Sequence, residues 1–370
     1  MARKSNEWLA ALAGQKLHVQ SARDAAQVVG WLDSGNYALN WAMSGRFLRG
    51  YPLGHSVEFF GDPSTGKSFL IDRAIAMVQA AGGVALLDDT EGAHNLEWME
   101  QALGVDVDAL AYSRSHTVKQ HLDLAVGFLN AMATLQSART QRIGLLAGDS
   151  LAALSTTHEL ETQLEKRDMS KAAELKALFR IIGGQLSSLP VAYLVTNHTV
   201  ANIGNMFNKR TTPGGGGPKF HATIRIDLRS PSKLKGKNPG EYLGVMCRAV
   251  VEKNRLTAPW REVRLVIPFN QPISRASGLI PVLIGLGLLT VHGQFLLHGT
   301  DKVGRAYKAD DKKHLLQQED QAEALLDRVP ELLEEADVYL EQHPALLPTA
   351  VVADEDADDD DVDPAVDSDD

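Results

Sequence analysis

Eight residues, Gly61-Asp62-Pro63-Ser64-Thr65-Gly66-Lys67-Ser68, fit the spacing G-x-x-x-x-G-K-[ST] between an apolar run, Val57 to Phe60, and a helical run, Phe69 to Val78. That spacing suits a nucleoside triphosphate. The glycines let the backbone curl until its N–H groups converge on phosphate oxygens, and the helix N-terminus behind them adds partial positive charge. Lys67 is placed to reach the terminal phosphates, and the Ser68 hydroxyl to complete a Mg²⁺ shell. The flanking strand and helix argue against a chance glycine-rich turn.

Phosphoryl transfer to water also needs a metal anchor and a group that orients the attacking water, both at strand ends beside the phosphates. Asp149 follows the apolar run Ile143-Gly144-Leu145-Leu146-Ala147-Gly148, the expected place for an acid that holds the Mg²⁺ hydration shell beside Ser68. The competing role for Asp149 is to cap the next helix with Ser150. Glu91, in Leu87-Asp88-Asp89-Thr90-Glu91, is the candidate for activating water, with Asp88 and Asp89 competing for that role. Trp98, seven residues on, offers a stacking face for adenine or is a core tryptophan at a helix start.

A second constellation runs from Asn197 to Lys219. It holds Lys209, Arg210 and Lys219 for phosphates, Met206 and Phe207 to wedge or stack against bases, and Gly214, Gly215, Gly216 and Gly217 to approach a backbone closely. Spacing alone leaves a nucleic-acid loop and a mobile lid over the nucleotide equally open. His158 to Met169, which mixes Lys166 and Arg167 with acids, reads by itself as a solvated helix end.

The elements that position these residues alternate. Apolar runs at Val84 to Leu87, Ile143 to Leu146 and Val191 to Val195 are separated by helical patterns, which predicts a parallel sheet with helices on its faces. Leu175, Leu178, Phe179, Ile182 and Leu186 form one apolar stripe of an intervening helix. Ile224 to Leu228, Tyr242 to Val251 and Val263 to Ile267, parted by Ser230-Pro231-Ser232 and Lys237-Asn238-Pro239-Gly240, predict an antiparallel extension. Beyond Gly278 a small helical and hairpin region is expected, with Pro330 either opening a second helix or kinking one. At the front, Asn6 to Ala13 reads as a short helix with Trp8, Leu9 and Leu12 on one face, which must dock to be stable.

At 370 residues and 44% hydrophobic content the chain can bury a substantial core. Cys247 is the only cysteine, so packing rather than disulfides must hold the fold, as in a reducing cytoplasm. The longest apolar stretch, Leu279 to Thr290, is short and interrupted by Pro281, Gly285 and Gly287, which predicts neither export nor a membrane span. Asp354 to Asp370 carries eleven acidic residues and no Lys or Arg; setting these aside turns the formal charge of −10 into about +1. The tail beyond Pro348 is expected to be disordered.

Taken in order, Ser34-Gly35, Leu39-Asn40, GDPSTGKS, the Glu91 segment, LLAGDS, LKALFRII, Asn197-His198-Thr199, GGGGP at Gly214 to Pro218 and EKNR at Glu252 to Arg255 resemble the RecA family of ATP-dependent recombinases, most closely its bacteriophage UvsX-like branch. The resemblance spans roughly Leu32 to Leu297. It implies an α/β fold: a RecA-type P-loop ATPase core, mostly parallel twisted sheet flanked by helices with an antiparallel extension, at residues 31–277. It further implies an N-terminal polymerisation segment at 1–30, a small C-terminal α/β domain at 278–347 and an acidic tail at 348–370.

By position, Gly61 through Phe69 and Trp98 would bind ATP, Ser68 and Asp149 the Mg²⁺, and Glu91 would polarise water. Lys253 and Arg255 look like the cationic pair that a neighbouring protomer inserts at the γ-phosphate. His158 to Met169 and His198 to Gly217 resemble the two DNA-binding loops, and His198, where bacterial members generally carry Gln, would couple nucleotide state to DNA affinity. The implied activity is a DNA-dependent ATPase that forms filaments on single-stranded DNA and pairs it with homologous duplex DNA, served by a single-strand-binding protein and a recombination mediator. A hexameric helicase-type motor on the same core is the alternative. Ala147-Gly148 departs from the bulky residues usual before the metal-side acid, and the segment around Pro268 and Phe269 aligns poorly.

Overall fold

The computed structural model of the chain describes residues 28–138, 142–162, 170–201, 210–213, 216–236, 238, 240–307 and 315–343. The N-terminal helix expected at Asn6 to Ala13 and the acidic tail lie outside them. Strands β1 (Trp31–Leu32) and β2 (Tyr51–Pro52) pair as a short antiparallel ribbon. An eight-stranded sheet follows, built from β3 (His55–Gly61), β4 (Val84–Asp89), β5 (Ala111–Ser113), β6 (Gly144–Asp149) and β7 (Val191–His198). After a two-residue ribbon of β8 (Val200–Ala201) and β9 (Arg210–Thr211), it is completed by β10 (Ile224–Lys235), β11 (Tyr242–Asn254) and β12 (Glu262–Pro268).

The order across the sheet is β12-β11-β10-β3-β7-β6-β4-β5, parallel from β10 to β5 and antiparallel from β10 to β12. The alternation expected from the apolar runs is therefore what forms. Period-two side-chain alternation splits the strands between two layers. Ala192 and Leu194 of β7, Leu145 and Ala147 of β6, and Ala85 and Leu87 of β4 join Leu70, Ile71, Ala74, Ile75 and Val78 of the helix Lys67–Ala80. Val191, Tyr193 and Val195, with Leu146 and Leu86, face the opposite layer of Ala125, Leu129 and Met132 and the stripe Leu175, Leu178, Phe179, Ile182 and Leu186. All five stripe residues are buried.

One expectation needs correction. The predicted turn at Ser230-Pro231-Ser232 is a bulge inside β10, where the register slips between Arg229 and Ser232. A bulge leaves a residue out of the ladder, so a proline without N–H costs no sheet hydrogen bond there. The helical pattern expected between β4 and β6 includes the twenty-residue helix Val118–Ser137, which Thr117 and Gln120 start with a reciprocal capping box.

The C-terminal region contains the helix Leu279–Gly285, an antiparallel ribbon of β13 (Thr290–His292), β14 (Phe295–His298) and β15 (Asp301–Arg305), and helices Leu315–Arg328 and Leu332–Gln342. Pro330 falls between the last two, so it opens a helix rather than kinking one. Leu332, Leu333, Ala336 and Leu340 belong to the same continuous apolar cluster as Trp41 and Phe47. Asp337 fixes the docking by accepting from the N–H groups of Phe47 (2.7 Å) and Leu48 (3.2 Å).

Candidate active site

Parallel strands bring their carboxyl ends to one edge, and ligands of such sheets bind in the crevice outside that edge. Gly61 lies opposite His198 across β3 and β7, and Asp89 opposite Asp149 across β4 and β6. There a cavity of about 330 Å³ is lined by Pro63, Ser64, Thr65, Gly66, Lys67, Ser68, Phe69, Glu91, Asp149 and His198.

The loop opens the helix Lys67–Ala80 through Gly66 at φ 89°, a conformation that costs a glycine nothing. A Cβ there would lie 2.3 Å from Ile267 Cδ1, so a larger residue would also have to displace the end of that side chain. No side chain caps this helix and its first turn holds no acidic residue, which leaves its positive N-terminal end facing the cavity. Lys67 Nζ donates to the carbonyl oxygens of Gly61 (3.1 Å) and Asp62 (2.8 Å), holding the ammonium beside the loop. Asp62 in turn accepts from the Thr199 hydroxyl, tying the loop to the segment after β7.

Asp149 is buried and accepts from Thr196 Oγ1, from His94 Nε2 (3.0 Å) and from the Ser68 hydroxyl. Burial alone would raise its pKa, but these donors outweigh it and hold the carboxyl below its ordinary range. Glu91 Oε1 accepts from Ser150 Oγ and lies 2.8 Å from His198 Nε2.

The two acids that competed with Glu91 are committed elsewhere. Asp88 accepts from the Ser115 N–H and meets His121 Nδ1 at 2.6 Å on the other layer. Asp89 accepts from Ala93 N–H and the Tyr112 hydroxyl. Trp98 does not line the cavity; its ring packs on Phe69, centroids 5.3 Å apart, and on the apolar cluster.

The sequence matches the RecA N-terminal domain family over residues 14–274. It is 33% identical to Protein RecA of Borrelia hermsii over 277 residues, 74% of each chain. Protein RecA of Porphyromonas gingivalis is 29% identical over 333 residues, 90% of this chain and 93% of its own. Protein RecA of Bacteroides thetaiotaomicron is 32% identical over 288 residues, 77% and 83% of the two chains. The chain belongs to the RecA family. The mixed sheet described above is thus a RecA-type α/β core, and RecA-family proteins are DNA-dependent ATPases. These matches give no support to the hexameric helicase-type motor.

The chain's second cationic group lies away from the cavity. Lys253 pairs with Arg225 across β10 and β11, and Arg225 with Glu58 across β10 and β3. Lys253 is therefore three residues, roughly 10 Å of strand, short of Gly61, toward the opposite edge of the sheet. Its Nζ donates to the carbonyl oxygens of Lys219 (2.9 Å) and Phe220 (2.8 Å), and Arg255 also donates to Phe220 O. Burial, then the charges of Arg255 and Arg225, push the Lys253 pKa down to about 8.

Behind His198, sequence reasoning missed a buried network. Glu58, with no exposed surface, accepts from Arg225 Nε (2.5 Å) and Asn197 Nδ2 (3.0 Å), and Asn197 also reaches Pro213 O (3.3 Å). Removing one partner of a buried ion pair costs about 3–5 kcal/mol. Arg225→Met is accordingly expected to lower unfolding free energy by that amount in urea titrations, with Glu58→Leu added in the same chain recovering most of it; a loss below about 1 kcal/mol would refute the pairing's role.

Of the proposed nucleic-acid contacts, Lys166, Arg167, Met206, Phe207, Lys209, Gly214 and Gly215 lie outside the described residues. Arg210 lies in β9.

Proposed function

We propose that this chain is a homologous recombinase of the phage-type, UvsX-like branch, polymerising on single-stranded DNA with ATP between successive protomers and exchanging strands with a homologous duplex in recombination, repair and recombination-dependent replication. One observation supports the reading: Lys253, level with Glu58 in mid-sheet, and Arg255 beyond it turn to the carbonyl oxygens of Lys219 and Phe220 and not to the phosphate loop of their own chain, so a nucleotide held by that loop would meet such a pair on a neighbouring copy.

The residues at the cavity fit ATP and Mg²⁺. An uncapped helix N-terminus that opens at Gly66 in the left-handed region, one ammonium, one hydroxyl and one ionised carboxylate make the donor set that a metal triphosphate requires. Gly61, Asp62, Pro63, Ser64, Thr65, Gly66 and Phe69 would line the phosphates, and Lys67 would bond their terminal oxygens. Ser68 and Asp149 would hold the metal, which neutralises the charge that develops during transfer. Glu91 would orient water, and its contact with His198 supports the coupling role of that residue, since β7 runs from His198 directly into the loop assigned to DNA. Trp98 would support the adenine side from behind Phe69 rather than from the cavity wall.

Lys166, Arg167, Met206, Phe207, Lys209, Arg210, Gly214 and Gly215 would grip the DNA backbone and bases without sequence preference. Each phosphate contact to a single strand contributes about 0.7 to the slope of log affinity against log salt. Replacing both Lys209 and Arg210 by Glu is expected to weaken binding and flatten that slope by about 1.4; an unchanged slope would remove the loop from the interface. A single-strand-binding protein and a mediator are the proposed partners, in a bacterial cytoplasm. No helix among the described residues is long and apolar enough to cross a membrane.

Joint-molecule formation between a single strand and a homologous duplex tests the reading, together with electron micrographs in ATP. Helical filaments and joint molecules are expected; closed rings, or filaments that never pair DNA, would overturn it.

A further inference from the structure

Beside the cavity, but not lining it, a histidine is clamped between two buried carboxylates. His94 Nδ1 lies 2.5 Å from Asp72 Oδ1 and His94 Nε2 3.0 Å from Asp149 Oδ2, and the His94 side chain is wholly buried. Asp72 sits on the helix Lys67–Ala80, one turn after Ser68, whereas Asp149 ends β6 and His94 follows β4. Three elements thus meet at one imidazole. The His94 backbone is itself held, its N–H donating to Asp89 Oδ2 at 3.3 Å.

Carboxylates only accept, so a ring facing one on each side must donate from both nitrogens, or one carboxyl must carry the proton. The other Asp149 oxygen accepts from Thr196 Oγ1. Two donors on opposite oxygens leave that carboxylate no free rotation about its last bond.

We propose that His94, anchored by Asp72, is a positioning residue that fixes the orientation of the Asp149 carboxylate toward the metal of the nucleotide site. This rests on the assignment of Asp149 as the metal-side acid. Groups that orient a metal ligand from behind commonly change metal affinity by about 10–100-fold when removed.

The test is a Mg²⁺ titration of fluorescent ADP binding by the full chain. For His94→Ala the Mg²⁺ midpoint is expected to rise tenfold or more, and for the isosteric Asp72→Asn severalfold, while KM for ATP at saturating Mg²⁺ returns toward the parent value. A merely structural role would reduce the binding-competent fraction and kcat with the midpoint fixed. Midpoints within twofold of the parent in both variants would overturn the proposal, and Asp72→Asn decides alone if His94→Ala does not fold. Asp149→Asn separates the two claims: if it leaves the midpoint unchanged, the metal-side assignment fails first; if it shifts the midpoint while the His94 and Asp72 variants do not, only the positioning role fails.

Discussion

Lys67→Ala is expected to abolish DNA-stimulated ATP hydrolysis, lowering kcat at least 10³-fold, equivalent to about 4 kcal/mol of transition-state stabilisation. Charge on the transferred group spreads over its oxygens as the bond to the leaving group lengthens, and positioned cations are the chief means of stabilising it. Lys67 is the only Lys or Arg among the described residues that line the cavity. The residue is 6% exposed and its ammonium is held by two loop carbonyls, so a solvent cation cannot take its place at comparable geometry. The helix start behind it is set by Gly66 and by the apolar residues Leu70, Ile71, Ala74 and Ile75, none of which the substitution touches. Thermal unfolding should therefore remain close to the parent. A variant that hydrolyses ATP at the parent rate would remove the phosphate loop from the chemistry.

How much of this was legible in the sequence follows from the range of the interactions involved. Period-two and period-3.6 patterns report which face of an element is buried, and they located β3, β4, β6, β7 and the stripe from Leu175 to Leu186 because burial is a local property of spacing. The loop at Gly61 to Ser68 was equally readable, since its function lies in consecutive residues. What spacing could not supply is which acid faces which layer. Asp88, Asp89 and Glu91 lie within four residues, yet they serve His121, Tyr112 and His198 respectively, partners fixed only once β4 is seated in the sheet.

The parts played by His94 and His121 were beyond the reach of spacing for the same reason. Nothing around His94 or His121 in sequence marks them, because Asp72, Asp149 and Tyr193 reach them only through tertiary folding. The departure at Gly148 is now explained: a Cβ there would lie 2.8 Å from His121 Cε1, so the bulky residue usual before the metal-side acid cannot coexist with that buried ring. The start of the helix Val118–Ser137 leaves a local signal, Thr117 and Gln120 at capping-box spacing ahead of Leu122, Ala125 and Leu129.

The second large effect concerns the second cationic group. Replacing Lys253 and Arg255 together by Ala is expected to abolish hydrolysis as completely as Lys67→Ala, although neither residue lines the cavity of its own protomer. Head-to-tail contacts that do not close generate filaments, so each cavity would meet the cationic end of the next copy. Mixing the two inactive proteins in equal amounts then creates interfaces with an intact Lys67 on one side and an intact pair on the other. Random assembly makes about one quarter of the interfaces complete, and roughly that fraction of parental turnover should return. Lys253 adds a pH signature. Its ammonium is present below a pKa of about 8 and lost above it, whereas a neighbour's phosphates would favour the charged form. Assembly must then take up protons above pH 8, so filament formation should weaken as pH rises past that value in the parent and lose this dependence in Lys253→Arg. A mixture no more active than its parts would mean that the pair does not act across the interface, and the phosphate loop and the cations would have to serve two unrelated sites.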